Sequence, residues 1–141
     1  MAIRLEHANL NVRNIEATIR FLQTAFPEFR IRYDSAAASP DEERWVHIGL
    51  DENYLALNEA SVEPSERWQP YEGSPGVNHL GYEVDAADAL RQRMLAAGYE
   101  ESTPPIEHPY RKRVYFYDPD GNDWEFVEYL TEDRAKRHEY S

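Results

Sequence analysis

The 141-residue chain contains no cysteine. Disulfides, thiolate metal sites and a cysteine nucleophile are therefore excluded. Basic residues are scarce, with 15 Lys and Arg against 27 Asp and Glu, a formal net charge of −12. Nucleic acid and anionic membrane both call for a basic face, so neither is an expected partner. Long apolar runs are missing too. None approaches the roughly 20 residues of a membrane span. The opening Met1-Ala2-Ile3-Arg4-Leu5-Glu6-His7 lacks the apolar core of a signal peptide. The expectation is a cytoplasmic protein acting on a small molecule. An apolar fraction of 41% and an aromatic fraction of 13% are enough for a folded core, in one domain or two half-size modules.

The most informative stretch runs from Tyr115 to Tyr129. Val114 to Tyr117 and Trp124 to Tyr129 are aromatic and β-branched. Asp118-Pro119-Asp120-Gly121-Asn122 between them is turn chemistry, so the stretch reads as a β-hairpin. Strand alternation puts Glu125 and Val127 on one face and Trp124 and Phe126 on the other. A carboxylate turned inward needs a cation or a proton. On a one-sided sheet it would face solvent instead, and the pattern leaves both open.

In chain order, Arg4 to Val12 reads as a strand with Ala8, Leu10 and Val12 on one face and His7, Asn9 and Asn11 on the other. Asn14 is placed to cap a helix carrying Ile15, Ile19 and Leu22 at helical spacing, which Pro27 ends. Phe29 to Tyr33 is a short strand, Ser35 to Glu43 a loop, and Arg44 to Leu50 with Tyr54 to Asn58 a second hairpin. Ala60 to Gly76 is an irregular crossover in which Trp68 and Tyr71 are expected over the core. Val77 to Val84 is a strand, and Asp85 is expected to cap a helix with Ala86, Leu90, Met94 and Ala97 inward, ending at Gly98. Pro104 to Lys112 reads as a loop or weak strand. Arg111, Lys112 and Arg113 form a basic run, either a solvated edge or an attraction for a carboxylate or phosphate.

The halves repeat. His7-Ala8-Asn9-Leu10-Asn11-Val12 matches His79-Leu80-Gly81-Tyr82-Glu83-Val84, and each is followed by a capped helix. Asp51 to Glu59 matches Asp120 to Glu128. A period of about 70 residues marks a duplicated module. A pseudo-two-fold sets His7 opposite His79 and Ala56 opposite Glu125. Two imidazoles and one carboxylate make a three-ligand site with open positions, suited to a divalent ion that also holds water and substrate. That ligand set accepts iron, manganese, nickel, cobalt or zinc without choosing among them.

Leu5-Glu6-His7, Gly76 to Val84, and Tyr115-Phe116-Tyr117-Asp118-Pro119-Asp120-Gly121-Asn122 with Glu125 resemble the vicinal oxygen chelate superfamily of glyoxalases, bleomycin-resistance proteins and extradiol dioxygenases. The resemblance implies an α+β fold in which two βαβββ modules pair into a cupped mixed sheet. A single glyoxalase-like domain then covers residues 1–131, as module 1 (1–60), crossover 61–75 and module 2 (76–131), with a charged tail at 132–141. It implies metal ligands at His7, His79 and Glu125, and a homodimer is expected.

Within the family, glyoxalase I has a fourth ligand, a Glu whose position falls here on Ala56, which can neither ligate nor take a proton. Extradiol dioxygenases use two His and one Glu, with a Tyr that falls on Tyr115. Their catalytic His falls near Pro64, and His108 lies on a loop that could supply an acid instead. The expectation is a metal-dependent enzyme on a substrate chelated through vicinal oxygens, with glyoxalase-like lyase or isomerase chemistry or ring-cleaving dioxygenation, and Tyr115 and His108 as catalytic candidates. The alternative is a metal-free protein that sequesters an aromatic ligand, as bleomycin-resistance members do.

Overall fold

In the computed structural model, which describes residues 3–60, 71 and 75–140, the chain divides into two units, Met1–Glu66 and Arg67–Ser141. Each runs strand, helix and three further strands, the α+β order that the repeat predicts. Trp68 and most of the expected crossover lie outside the described residues.

The first unit contains β1 (His7–Val12), α1 (Ile15–Ala25), β2 (Arg30–Asp34), a 3-10 turn (Ser35–Ala37), β3 (Trp45–Gly49) and β4 (Tyr54–Glu59). The sheet order is β1-β4-β3-β2, with β1 parallel to β4 and the other pairs antiparallel. The Asn14 side chain accepts from the Ala17 amide at 3.0 Å and caps α1. Pro27, which would clash with and fail to donate to another helical turn, follows the helix end. Ile15, Ile19, Phe21, Leu22 and Ala25 are buried on the face of α1 turned to β3 and β4. Val46, Ile48, Leu55 and Leu57 are buried as well. Strand alternation therefore leaves His7, Asn9, Trp45, His47, Tyr54 and Ala56 on the opposite face.

The second unit contains β5 (His79–Glu83), α2 (Ala87–Ala96), β6 (Ile106–His108), β7 (Arg111–Tyr117), β8 (Asp123–Tyr129) and a last helical turn, α3 (Arg134–Arg137). Its sheet order is β5-β8-β7-β6, with β5 parallel to β8. Val114, Phe116, Trp124 and Phe126 are buried on the side of α2. The α2 cap differs from expectation. Asp85 does not serve it, and instead the Glu128 carboxylate, far along the chain, accepts from the Ala87 amide at 3.1 Å. The inward stripe is correspondingly Ala87, Leu90 and Met94, with Ala86 and Ala97 exposed. Gly98, at φ 88, adopts the left-handed conformation that closes the helix, and the Tyr99 amide returns to the Met94 carbonyl. The segment expected as loop or weak strand supplies β6, paired antiparallel with β7.

Residues 132–141, read from sequence as a charged tail, carry α3. The Arg137 guanidinium donates to Glu83 and the Thr131 carbonyl and lies over the Tyr129 ring. Arg111, only 3% exposed, donates to the Glu139 carbonyl at 2.8 Å and lies over Tyr140.

The β7–β8 turn is built around a buried carboxylate. Asp118 accepts from the amides of Asp120 and Asn122, from the Asn122 side chain and from Trp124 Nε1, all between 2.9 and 3.1 Å. Gly121 takes the positive φ of 84° that the turn requires. Removing this acceptor strands several buried donors, so Asp118→Ala is expected to destabilise the protein by about 2–4 kcal/mol. Urea unfolding measures it, and a loss below about 1 kcal/mol would show that the turn does not depend on this carboxylate.

Candidate metal centre

In the second unit, β8 places Glu125 between two neighbours, Gly81 on β5 and Tyr115 on β7. Trp124 and Phe126 are 1% and 0% exposed, so their burial fixes which way Glu125 points. It faces away from α2. The Glu125 side chain retains 18% exposure and His79 35%. The carboxylate is thus part-buried on the sheet face opposite α2.

His79 Nε2 stands 3.0 Å from Glu125 Oε2. His79 Nδ1 is 2.7 Å from Asn78 Oδ1. An amide oxygen only accepts, so Nδ1 carries a proton and Nε2 is the nitrogen turned to the carboxylate. Two acceptors at that distance close only around a shared proton or a cation. Ligands at right angles with metal bonds of about 2.1 Å lie about 3.0 Å apart. The separation is that of an imidazole–carboxylate hydrogen bond and equally that of two ligands of one ion. A Cβ built on Gly81 would lie 3.9 Å from Glu125 Oε2, so the glycine keeps the space beside the carboxylate open.

Tyr115 closes the other side of Glu125 and meets the His79 ring edge-on, with centroids 6.1 Å apart. Burial pushes its hydroxyl pKa above the usual tyrosine value, and the neighbouring Glu125 charge pushes it further. Beyond them, Asp123, 2% exposed, accepts from Ser102 and Tyr71, whose hydroxyl is likewise raised by burial and by Asp123.

In the first unit, His7 Nδ1 lies 2.8 Å from Glu6 Oε1, which leaves Nε2 as the free nitrogen. Each histidine is thus oriented by the residue immediately before it. The His7 ring stacks on Tyr54 at 5.0 Å; Tyr54 meets His47 at 4.6 Å, His47 meets Trp45 at 5.0 Å, and Trp45 meets Tyr33 at 4.8 Å. Arg32 lies over Tyr54. Burial, followed by the charges of Arg32 and His7, lowers the His47 pKa below its ordinary 6.5.

The expected candidates are thus distributed unevenly. His79, Glu125 and Tyr115 come together on one sheet face, while His7 is presented from the first unit. His108 is not beside them. It pairs with Arg111, four residues along β7 from Tyr115, and its Nδ1 accepts from the Tyr110 amide. Among the described residues, no group of three His, Asp or Glu side chains gathers close enough to hold a metal.

The glyoxalase family model, described as the Glyoxalase/Bleomycin resistance protein/Dioxygenase superfamily, matches residues 4–126. The chain belongs to this superfamily. Solved structures share its fold. Fosfomycin resistance protein FosX from Mesorhizobium loti is 23% identical with a TM-score of 0.72, over 97% of this chain and 98% of its own. A superfamily domain from Frankia sp. EAN1pec is 20% identical with a TM-score of 0.74, over 99% of each chain. A variant of FosX from Listeria monocytogenes, complexed with Mn(II) and 1S,2S-dihydroxypropylphosphonic acid, is 21% identical with a TM-score of 0.71, over 99% of this chain and 100% of its own. No curated protein matches the chain.

The strand registers make the superfamily repeat concrete. Ala56 lies between Asn9 and His47 as Glu125 lies between Gly81 and Tyr115. His47 thus occupies the repeat position of Tyr115, a match that depends on the pairing of β3 with β4 and lies outside the segments that repeat in sequence. The parts played by Asn78, immediately before the repeated His-containing segment, and Gly81, inside it, are likewise not visible in the repeat itself.

His47 offers a direct test. Because the fold disfavours its imidazolium, it contributes stability above its unfolded pKa near 6.5, and that contribution is lost as pH falls through the lower folded value. NMR titration of the ring is expected to give a midpoint below 6.5, raised by Arg32→Gln. A midpoint at or above 6.5 would contradict the buried, cation-flanked placement.

Proposed function

We propose that this superfamily member is a divalent-metal enzyme in which His7, His79 and Glu125 hold the ion and a small substrate chelates it through two adjacent oxygens. The observation that carries this is the 3.0 Å approach of His79 Nε2 to Glu125 Oε2, with the other imidazole nitrogen already engaged by Asn78. His7, with Nδ1 on Glu6, is presented in the same way. The three are proposed to converge when a first and a second module meet face to face, within one chain or between the copies of a homodimer. Mn(II) in a solved FosX structure is in keeping with such an ion.

When bound, a divalent ion supplies Lewis-acid stabilisation of an oxyanion on the substrate. The protein's own groups handle orientation and protons. Tyr115, its pKa raised, is a neutral hydroxyl at neutral pH and donates to a substrate oxygen. His47, its pKa lowered, is a neutral imidazole able to accept a proton. Ala56, at the repeat position of Glu125, can do neither. A base beside a chelated oxyanion favours proton-transfer chemistry of the lyase or isomerase type over ring cleavage. His108 takes no part in this proposal, because Nδ1 caps its own turn.

One observation favours a second reading. The unbroken ladder of Tyr33, Trp45, His47, Tyr54 and His7 is a platform for a flat aromatic molecule. A metal-free protein could sequester such a ligand there.

Titration calorimetry with Mn(II) separates the two. One ion is expected per chain. His79→Ala and Glu125→Gln are expected to weaken binding at least 100-fold, and Asn78→Ala about tenfold, as orienting partners of metal ligands do. Full retention of Mn(II) by both His7→Ala and His79→Ala would overturn the site assignment.

A further inference from the structure

We infer that Arg113 is the recognition group for an oxyanion, a carboxylate, phosphate or phosphonate, carried by the substrate of the site proposed above, on which this inference rests. Arg113 lies on β7 two residues before Tyr115, opposite Val127, just as Tyr115 lies opposite Glu125. It therefore shares the face of Glu125 and stands one row away, about 7 Å along the strand. Its Nε is buried and, among the described residues, makes no hydrogen bond. A buried N–H of a permanent cation is rarely left without an acceptor, because desolvation is then uncompensated.

The neighbouring charges are already matched to other partners. Arg111, on the same face, has a buried Nε in the same condition, but its Nη1 donates to the carbonyls of Arg137 and Glu139. Lys112 points the other way and pairs with Asp88 at 2.6 Å. Glu83, the acid in Arg113's own row, accepts from Arg137 at 3.2 Å. Arg137 thus removes the carboxylate that would otherwise balance Arg113. What remains is a guanidinium edge in a chain of net charge −12, one row from the metal-binding carboxylate. Nε–H and an Nη–H form a planar fork that fits two oxygens of one anion. The substrate class is therefore short: vicinal oxygens at one end, and an anionic group a few bonds away.

Two experiments test this. In metal-free protein, the Arg113 Nε–H resonance, assigned by its absence in Arg113→Gln, is expected to shift saturably on addition of acetate or inorganic phosphate. No shift with either anion would overturn the inference whatever the metal does. In Mn(II)-loaded protein, calorimetry compares catechol with 3,4-dihydroxybenzoate, and glycerol with glycerol 3-phosphate. The anionic member of at least one pair is expected to bind about tenfold more tightly, and which pair shows it separates carboxylate from phosphate. Arg113→Gln is expected to erase that advantage and Arg113→Lys to keep part of it, with Mn(II) affinity within twofold of wild type. Equal binding within both pairs, or an advantage that survives Arg113→Gln, would overturn the inference. Loss of Mn(II) binding to wild-type protein alongside a preserved Nε–H shift would instead overturn only the metal reading.

Discussion

His79 Nε2 and Glu125 Oε2 stand 3.0 Å apart, a contact that needs a proton or a cation between the two atoms. Much of the second unit serves to hold them there. The parallel register of β5 with β8 sets His79 beside Asp123 and Gly81 beside Glu125. Trp124 and Phe126 lock β8 into the core and so aim Glu125 outward. Asp118 holds the turn that begins β8 and reaches Trp124 directly. Asn78 engages Nδ1 and orients the ring. Each of these makes more sense if a cation sits between the pair, because a preorganised ligand pair costs the protein little further ordering when the ion arrives.

The two units repeat one strand arrangement with different side chains. Both units keep the same strand order and the same parallel first pair. At matched positions, however, Glu125 becomes Ala56, Tyr115 becomes His47 and Asp123 becomes Tyr54. One face is thus rich in carboxylate and hydroxyl oxygen, and the other in imidazole and stacked rings.

The fold was largely legible because its signals are local. Asn14, Pro27 and Gly98 bound helices by well-understood backbone chemistry, and Asp118-Pro119-Asp120-Gly121 announces a turn. The repeat of His7 and His79 made the topology readable twice. What escaped was non-local. The α2 cap comes from Glu128, which no scan of adjacent residues would pair with Ala87. The anchoring of residues 134–140 depends on Arg111 and Glu83 rather than on any apolar pattern of their own. His108 stands in a plausible segment, yet only the β6–β7 register shows how far it lies from Glu125. Arg113 looked like one member of a basic run until the partners of its neighbours were known.

The central claim is that imidazole nitrogens from both halves of the repeat ligate one ion. Electron spin-echo spectroscopy of the Mn(II)-loaded chain, with histidine nitrogens labelled with ¹⁵N, reads those bonds directly. The account predicts couplings from two histidine nitrogens, with one lost in His7→Gln and the other in His79→Gln. Bound Mn(II) without histidine coupling, or couplings unchanged in both variants, would contradict it.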